Sequence, residues 1–486
     1  MNPPRFYLQR IELSNYRCFK HLTVDFDERL TVLIARNGLG KTAVLDAISK
    51  ALEQFVAGFG KSTKTSIQIS DVLMRLTNPS LREMEPQYPC WIEASAYSEP
   101  LKVTDQVAQR IIDISNKSEC IWKLVRNPPN TKITTLNLSS DSLFNKVKRV
   151  HNNRCDDVIT KANFMRELVS QGEPIDLPLV AYYGTGRLWK QKKKPENKAL
   201  NNEFFSRTSG YQDCLDPASS FKYVADWLSY ATYADIQERD QRRQKEGQAY
   251  MDRDTAFTPL LSAVRLAVDE CLKISGWQGL RYSLTHQTVV MEHPDYGVLE
   301  VSQLSDGVRN MIGLVADIAY RTVRLNSRFG QEAPKQTPGL VLIDEVDMHL
   351  HPEWQQVVLI NLTKAFPALQ FIVTTHSPQV LTTVKREQIR LLSENIEGEA
   401  VAAIPTGNTY GRSNADVLQS VMAVSPEPKV PESQELRDYL ALVEQGDWRS
   451  NRAGLLRQQL EQVLGADYPW LIRADMIMRR REALER

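Results

Sequence analysis

VLIARNGLGKTAVLDAIS, Val32 to Ser49, passes from an apolar run through a glycine-rich turn ending in Gly40-Lys41-Thr42 and into helical spacing. A strand, a tight loop and a helix in that order gather backbone N–H groups and a helix N-terminus around one point, which suits a cluster of anionic oxygens. In the pattern G-x-x-x-x-G-K-[ST] the lysine adds a point charge and the hydroxyl reaches magnesium. Ala35 occupies the position of the first glycine. That residue has only to leave the strand, which alanine does at negative φ, whereas Gly40 is the position that lets the backbone approach phosphate. An ordinary glycine-rich turn is the alternative, and the intact Gly38-x-Gly40-Lys41-Thr42 argues against it.

Working outward, FYLQRIEL and HLTVDF alternate apolar and polar residues ahead of LTVLIA, which predicts strands leading into the loop. AVLDAISKALEQFV, from Ala43, predicts the helix after it. WIEASAY and CIWKLV, within 90–126, add strand-like runs. From about 136 the text becomes polar, charged and broken by Pro and Gly, with LPLVAYYGTGRLW as an apolar island. DIQERDQRRQKEGQAYMDRD is too polar to hold a core and predicts a solvated helix or hairpin tip. Order returns at 298. VLEVSQLSDGVRNMIGLVADIAYRTVRL predicts a turn capping a long helix; PGLVLIDEVD and LQFIVTTHS predict buried strands, with the helical PEWQQVVLINLTKAF between them. Strand, helix and strand in succession imply a mostly parallel sheet. SPEPKVPES, 425–433, is a Pro-punctuated linker before three helical stretches.

Two acids, Asp344 and Glu345, follow directly on an apolar strand. A carboxylate there can hold magnesium, and its neighbour can orient and deprotonate a water. Solvated strand-end acids are common, and it is the phosphate loop that favours the chemical reading. His376 ends the next strand at the same edge, where ligands of parallel sheets bind, which suits a sensor of the terminal phosphate. His349 and His351 tempt a metal reading, yet no third ligand has zinc spacing, so a loop role is expected. Ser305 and Gly307 open the long helix in LSDGVRN, an N–H cluster suited to an anion, although on these residues alone the plain N-cap account wins.

At 486 residues the chain exceeds one ordinary core. With 60 Lys plus Arg against 59 Asp plus Glu, the net charge of +1 excludes a uniformly basic nucleic-acid binder. Six cysteines lack any C-x-x-C pair, which disfavours a zinc site or a disulfide framework and suits a reducing compartment. The N-terminus shows no signal-peptide apolar core, and no uninterrupted apolar segment approaches about 18 residues. A cytoplasmic protein without a membrane partner is expected.

The set of motifs resembles the ABC-type ATPases of the SMC, RecF and OLD group. IELSNYRCFKHLTVDF followed by ARNGLGKT is similar to their N-terminal lobe, LSDG to their signature motif, LIDEVDMHLHP to their Walker B and D-loop, and TTHSP to their switch histidine. LSDGVRNMIGLVADIAYR, LIDEVDMHLHPEWQQ, FIVTTHSPQVL and TYGRSNADVLQSVMAV are similar, more closely, to the PtuA ATPases of Septu and retron-associated anti-phage systems. The resemblance covers 5–55 and 298–424. It implies an α/β, ABC-type head with a mixed, mostly parallel sheet, a largely helical insertion and a small C-terminal helical extension. The expected boundaries are 1–135 and 298–424 for the two parts of the head, 136–297 for the insertion and 425–486 for the linker and extension.

By position, the resemblance implies that Arg36, Asn37, Gly38, Leu39, Gly40, Lys41, Thr42 and Ala43 bind ATP. It makes Thr42 and Asp344 the holders of Mg²⁺, with Lys41, Glu345 and His376 catalytic and Glu345 the base. Ser305, Asp306 and Gly307 would meet the nucleotide of a second copy, with Asp347 in the D-loop at that interface, and Arg17 approaching the nucleotide or lying at the surface. The family's Q-loop glutamine has no clear counterpart; Tyr183 to Arg187 occupy its place. Implied partners are a second copy, or more, through the heads, an HNH nuclease of the PtuB kind and, in a retron, a reverse transcriptase with its RNA or DNA product. No Toprim carboxylate pattern follows the head, so the expected enzyme is an ATPase and not itself a nuclease. Arg187, Lys190 and Lys192 to Lys194 form a basic loop, as do Arg479 to Arg481 a triplet, and either suits a phosphodiester backbone or plain solvation. The competing readings are a RecF-like DNA-repair ATPase and a nucleotide-locked scaffold with negligible hydrolysis.

Overall fold

The apolar run ending at Ile34 is a strand, Leu30–Ile34, buried along its whole length, as are Leu179–Tyr183, Gly339–Ile343 and Leu369–Thr374. Strands buried on both faces belong to a sheet covered by helices or by a second sheet, and read as unbroken apolar text. They lie in a six-stranded sheet, in the order Ala400–Ala403, Ile389–Glu394, Leu30–Ile34, Leu369–Thr374, Gly339–Ile343, Leu179–Tyr183. Every neighbouring pair is parallel except Ala400–Ala403 with Ile389–Glu394. The sheet is therefore mixed and mostly parallel, and the residues after Ile34, Tyr183, Ile343 and Thr374 emerge along one edge. The computed structural model describes residues 5–61, 66–78, 80, 82–99, 118–129, 155–187, 206–217, 221–246, 254–425 and 429–484.

A second, antiparallel sheet runs in the order Phe19–Asp25, Phe6–Tyr16, Cys90–Ser98, Glu119–Arg126. Burial alternates strictly along Cys90–Ser98, so one face is covered, and what covers it includes the helix after the phosphate loop. That helix, Lys41–Gly58, buries Val44, Leu45, Ala47, Ile48, Ala51, Leu52 and Phe55, more than one amphipathic stripe, because it packs against both sheets. Trp122 Nε1 donates to the Ala51 carbonyl at 2.9 Å, and the Phe6 and Phe55 rings lie 5.6 Å apart. Gln370 ties the two sheets directly: its amide group bonds both the N–H and the carbonyl of Leu8, at 2.8 and 2.9 Å.

The stretch 136–297, expected to be mainly helical, is more mixed. It holds the helices Asp156–Ser170, Phe221–Glu246 and Thr258–Leu272, but Leu179–Tyr183 is the edge strand of the central sheet. Gln278–Ser283, Thr288–His293 and Gly297–Glu300 form a three-stranded antiparallel sheet ahead of the long helix Asp306–Leu325. In the polar stretch, residues 235–246 are helical, with an i,i+4 ion pair of Arg239 with Asp235 at 3.0 Å. Residues 247–253 of that stretch, and the basic loop from 188 to 198, lie outside the described residues.

The chain divides into two compact units, Met1–Val417 and Leu418–Arg486. In the second, the helices Glu432–Gln445, Asn451–Leu464 and Pro469–Leu484 close over their own core of Leu436, Tyr439, Val443, Leu460 and Leu471. Arg479 to Arg481 lie on the last of these helices. Among the described residues no helix is long and apolar enough to cross a membrane.

Candidate active site

The loop after Ile34 turns on Gly40, which caps the helix in the left-handed region at φ 83°. Glycine is required there twice over. A side chain would be strained at that φ, and its Cβ would collide with the Phe19 ring and the Cys18 sulfur. Arg36, Asn37 and Gly38 form the exposed rim, with Leu39 N–H donating back to the Arg36 carbonyl at 3.3 Å. Ala35, the departure from the usual pattern, contributes its carbonyl, which accepts from Lys41 Nζ at 3.2 Å. Lys41 is 8 % exposed. Burial pulls its pKa below the ordinary lysine value, against the opposing pull of Asp344, Glu345 and Asp347. An ammonium carries three donors, so this one keeps capacity for an anion. Ala43, next in the helix, is buried in the core.

Thr42 Oγ1 donates to Asp344 Oδ2 at 2.9 Å across 302 residues of chain, because Leu30–Ile34 and Gly339–Ile343 flank one common neighbour in the sheet. Two hard oxygens at that separation fit adjacent vertices of an octahedron of Mg²⁺ bonds, which lie roughly 3 Å apart. The other carboxylate oxygen of Asp344 accepts from Thr374 Oγ1 at 2.6 Å, and Thr374 Oγ1 in turn accepts from the Glu345 N–H at 2.7 Å. Glu345 itself is half-buried at φ 49°, a turn that swings its side chain out of line with the strand just left. Asp344 N–H donates to the Tyr183 carbonyl and Val346 N–H to the Thr374 carbonyl, so neighbours on both sides fix the acidic turn.

His376 follows Thr375 at the same edge, half-buried and without a hydrogen-bond partner among the described residues. Thr375 Oγ1 donates to Asp347 Oδ1 at 2.6 Å. The two later histidines have separate surroundings: His351 Nδ1 accepts from Glu353 N–H at the start of the short helix Pro352–Gln355, while His349 is exposed at φ 62°.

Ser305 is the N-cap residue of Asp306–Leu325, yet it is exposed and its hydroxyl caps nothing. Asp306 pairs with Arg309 instead. A Cβ on Gly307 would meet the His349 carbonyl at 2.6 Å, and Asn310 Nδ2 donates to the Met348 carbonyl at 3.3 Å. The turn is thereby seated on the segment after Asp347, with its first N–H groups open.

Arg17 is drawn to the loop helix from the side. It pairs with Asp46 on that helix and, through Nε, with Asp71 at 3.1 Å, and Lys50 also reaches Asp71 at 3.2 Å. Both acids engage its guanidinium, so Arg17 braces the loop helix from the side.

Sequence reasoning passed over Thr374 and Thr375, whose hydroxyls donate to the Asp344 and Asp347 carboxylates; threonines at the end of a strand read as β-propensity. It also passed over Asp46 and Asp317, described below. Thr374→Val removes a donor from Asp344 and an acceptor from the Glu345 N–H with almost no change of shape. Outer-shell losses of this kind weaken metal binding by roughly 10- to 100-fold. The expected result is a Mg²⁺ titration of ATP hydrolysis shifted upward by about that factor and restored by Thr374→Ser. An unmoved titration curve would remove Thr374 from the site.

The AAA domain family matches residues 10–251, and the AAA ATPase domain family residues 187–381. The "Retron Vc95 probable ATPase" of Vibrio cholerae serotype O1 biovar El Tor is 26% identical over 482 residues, covering 92% of this chain and 85% of its own. "Septu protein PtuA" of Bacillus mycoides (strain KBAB4) is 40% identical over 101 residues, covering 21% of this chain and 13% of its own. Among solved structures, the Smc head domain bound to the C-terminal domain of ScpA, from Pyrococcus furiosus, matches with a TM-score of 0.44 at 14% identity, covering 82% of this chain and 96% of its own. With its phosphate loop and Asp344–Glu345 turn, far apart in the sequence, rejoined at one sheet edge, and with AAA family models matching residues 10–251 and 187–381, the chain is an AAA-type ATPase.

Proposed function

We propose that this ATPase is the hydrolytic subunit of an anti-phage defence complex, that two copies close on ATP through their heads, and that closure governs a partner HNH nuclease of the PtuB kind. The supporting observation is an imbalance within one chain. The Thr42–Asp344 pair, Lys41 and Glu345 are assembled, while the Ser305 turn is exposed, uncapped and offers its helix N-terminus outward. An open N-terminus carries partial positive charge and free N–H donors, which suits the terminal phosphate of a nucleotide held elsewhere. The defence setting comes from the relatives, a retron probable ATPase along most of the chain and a PtuA over part of it. In a retron, a reverse transcriptase with its RNA or DNA product joins the complex, and nucleic acid is a further candidate partner.

In this reading the loop N–H groups of residues 36–43 and the Lys41 ammonium hold the phosphates. Thr42 and Asp344 would hold Mg²⁺, which would supply neutralising charge to the phosphate oxygens. Glu345 orients a water and takes its proton, and His376 contacts the terminal phosphate. Asp347, kept in place by Thr375, meets the second copy, whose Ser305 and Gly307 complete the enclosure. The closed site excludes bulk water and lets fixed donors act at low dielectric.

Ser305→Arg tests the shared site. The side chain at 305 is exposed, so folding is preserved, while a guanidinium fills the space a neighbour's phosphate would enter. ATP binding by the isolated chain should stay within about twofold, since no residue of its own cradle is touched. Hydrolysis should fall roughly a hundredfold or more, the scale of losing a positioned donor set, and the ATP-dependent dimer should vanish in mass photometry. Undiminished turnover in this variant would show that each chain completes its own site.

A further inference from the structure

Tyr182 and Tyr183, adjacent on the strand Leu179–Tyr183, were singled out in the sequence only as part of AYYGTGR. Successive strand side chains point to opposite faces of a sheet, so these two phenols leave the strand in opposite directions. Both are buried, each 2% exposed. Tyr182 Oη donates to Asp46 Oδ1 at 2.9 Å, and Asp46 lies on the phosphate-loop helix one turn beyond Thr42. Tyr183 Oη donates to Asp317 Oδ2 at 2.7 Å, and Asp317 lies on the helix that begins at the Ser305 turn. The same Asp317 oxygen accepts from Arg321 Nε at 2.8 Å, and Arg321 Nη1 also reaches the Gly210 and Gln212 carbonyls at 2.8 and 2.9 Å. The Tyr183 carbonyl accepts from Asp344 N–H at 2.8 Å. One strand thus carries a bond to each of the two helices and to the acidic turn between them.

We propose that Tyr182 and Tyr183 are positioning residues that couple the two helices, so that occupancy of the phosphate loop is transmitted through this strand to the Ser305 turn. The inference rests on the ATPase reading above and adds its route of communication. Burial and the adjoining carboxylates push both phenols above the ordinary tyrosine pKa, so both remain donors across the physiological range. Fully satisfied polar networks rigidify the groups they join, and a shift of the loop helix felt at Asp46 reaches the strand through the Tyr182 bond. Asp46 is fixed on its other oxygen by Arg17, which closes the near end of the path.

Tyr182→Phe is the decisive variant because the hydroxyl it removes bonds Asp46 on the loop helix, whereas the bond to the Ser305 helix belongs to Tyr183. Hydrogen–deuterium exchange of residues 306–325 is followed with and without ATP and Mg²⁺, alongside ATP binding and turnover. In the wild type, ATP should slow exchange of that helix. In Tyr182→Phe, ATP should still bind within about twofold, the slowing should be lost, and kcat should drop roughly tenfold with KM little changed. Tyr183→Phe should do the same, and the double variant should be no worse than either single one, since one cut breaks a series path. Wild-type exchange behaviour in Tyr182→Phe, or losses that multiply in the double variant, would overturn the coupling and leave two independent packing contacts. Absence of ATP binding by the wild type would instead bring down the ATPase reading itself, so the two failures are told apart.

Discussion

Glu345→Gln is expected to stop turnover while leaving ATP bound in a dimer that does not come apart. Glutamine has almost the same shape, and the Glu345 N–H keeps its bond to Thr374 Oγ1, so the turn survives the exchange. What disappears is the capacity to accept a proton from water. Removal of a positioned general base lowers rates by roughly 100- to 10,000-fold. Phosphate release should fall within that range, and mass photometry with ATP should show dimers persisting long after wild-type dimers have separated. A nucleotide-locked scaffold predicts otherwise, since a protein whose hydrolysis is negligible loses nothing measurable when its base is removed. A RecF-like repair enzyme predicts the same trapping but needs DNA to stimulate the parent rate.

Lys41→Ala should abolish nucleotide binding without harming the fold. The ammonium is desolvated, its pKa lowered by burial, and its hydrogen bond is to the Ala35 carbonyl. Folding therefore gains little from it, and the thermal midpoint should hold or rise slightly. Phosphate binding gains much, because charge-assisted hydrogen bonds in a partly buried site contribute about 1.5–3 kcal/mol each and a lysine offers more than one. An increase in Kd of roughly 100-fold or more is expected by titration with a fluorescent ATP analogue. Ordinary affinity in this variant would contradict the phosphate-loop reading, and with it the role of every residue placed around Lys41.

The parallel strands were legible because burial on both faces leaves no polar register to hide them. Leu30–Ile34, Gly339–Ile343 and Leu369–Thr374 read as plain apolar runs ended by chemistry-bearing residues. Leu179–Tyr183 has the same character, yet a five-residue run between Pro178 and Gly184 has no period of its own, and only its pairing with Gly339–Ile343 makes it part of the head. The three-stranded sheet from Gln278 to Glu300 was hidden for the opposite reason. Gln278–Ser283 buries Leu280 alone, so no alternation reaches the sequence. At the site, residue types announced the loop, the acids and the histidine, while the threonines that hold the acids gave no signal, since their partners are set by sheet order. Arg17 shows the same limit: the resemblance left it between a nucleotide contact and a surface role, and the fold supplies Asp46 and Asp71 as its neighbours.

The bond between Gln370 and Leu8 spans 362 residues, and both strands that flank Leu30–Ile34 come from the far third of the chain. During synthesis, the apolar N-terminal segment must therefore wait on the ribosome until most of the polypeptide has emerged. Closing so long a loop is slow and leaves apolar surface exposed meanwhile. A corresponding consequence holds for the site: a translation product interrupted before residue 344 carries Lys41 and Thr42 without Asp344 or Glu345, and so never assembles the acidic turn beside the loop.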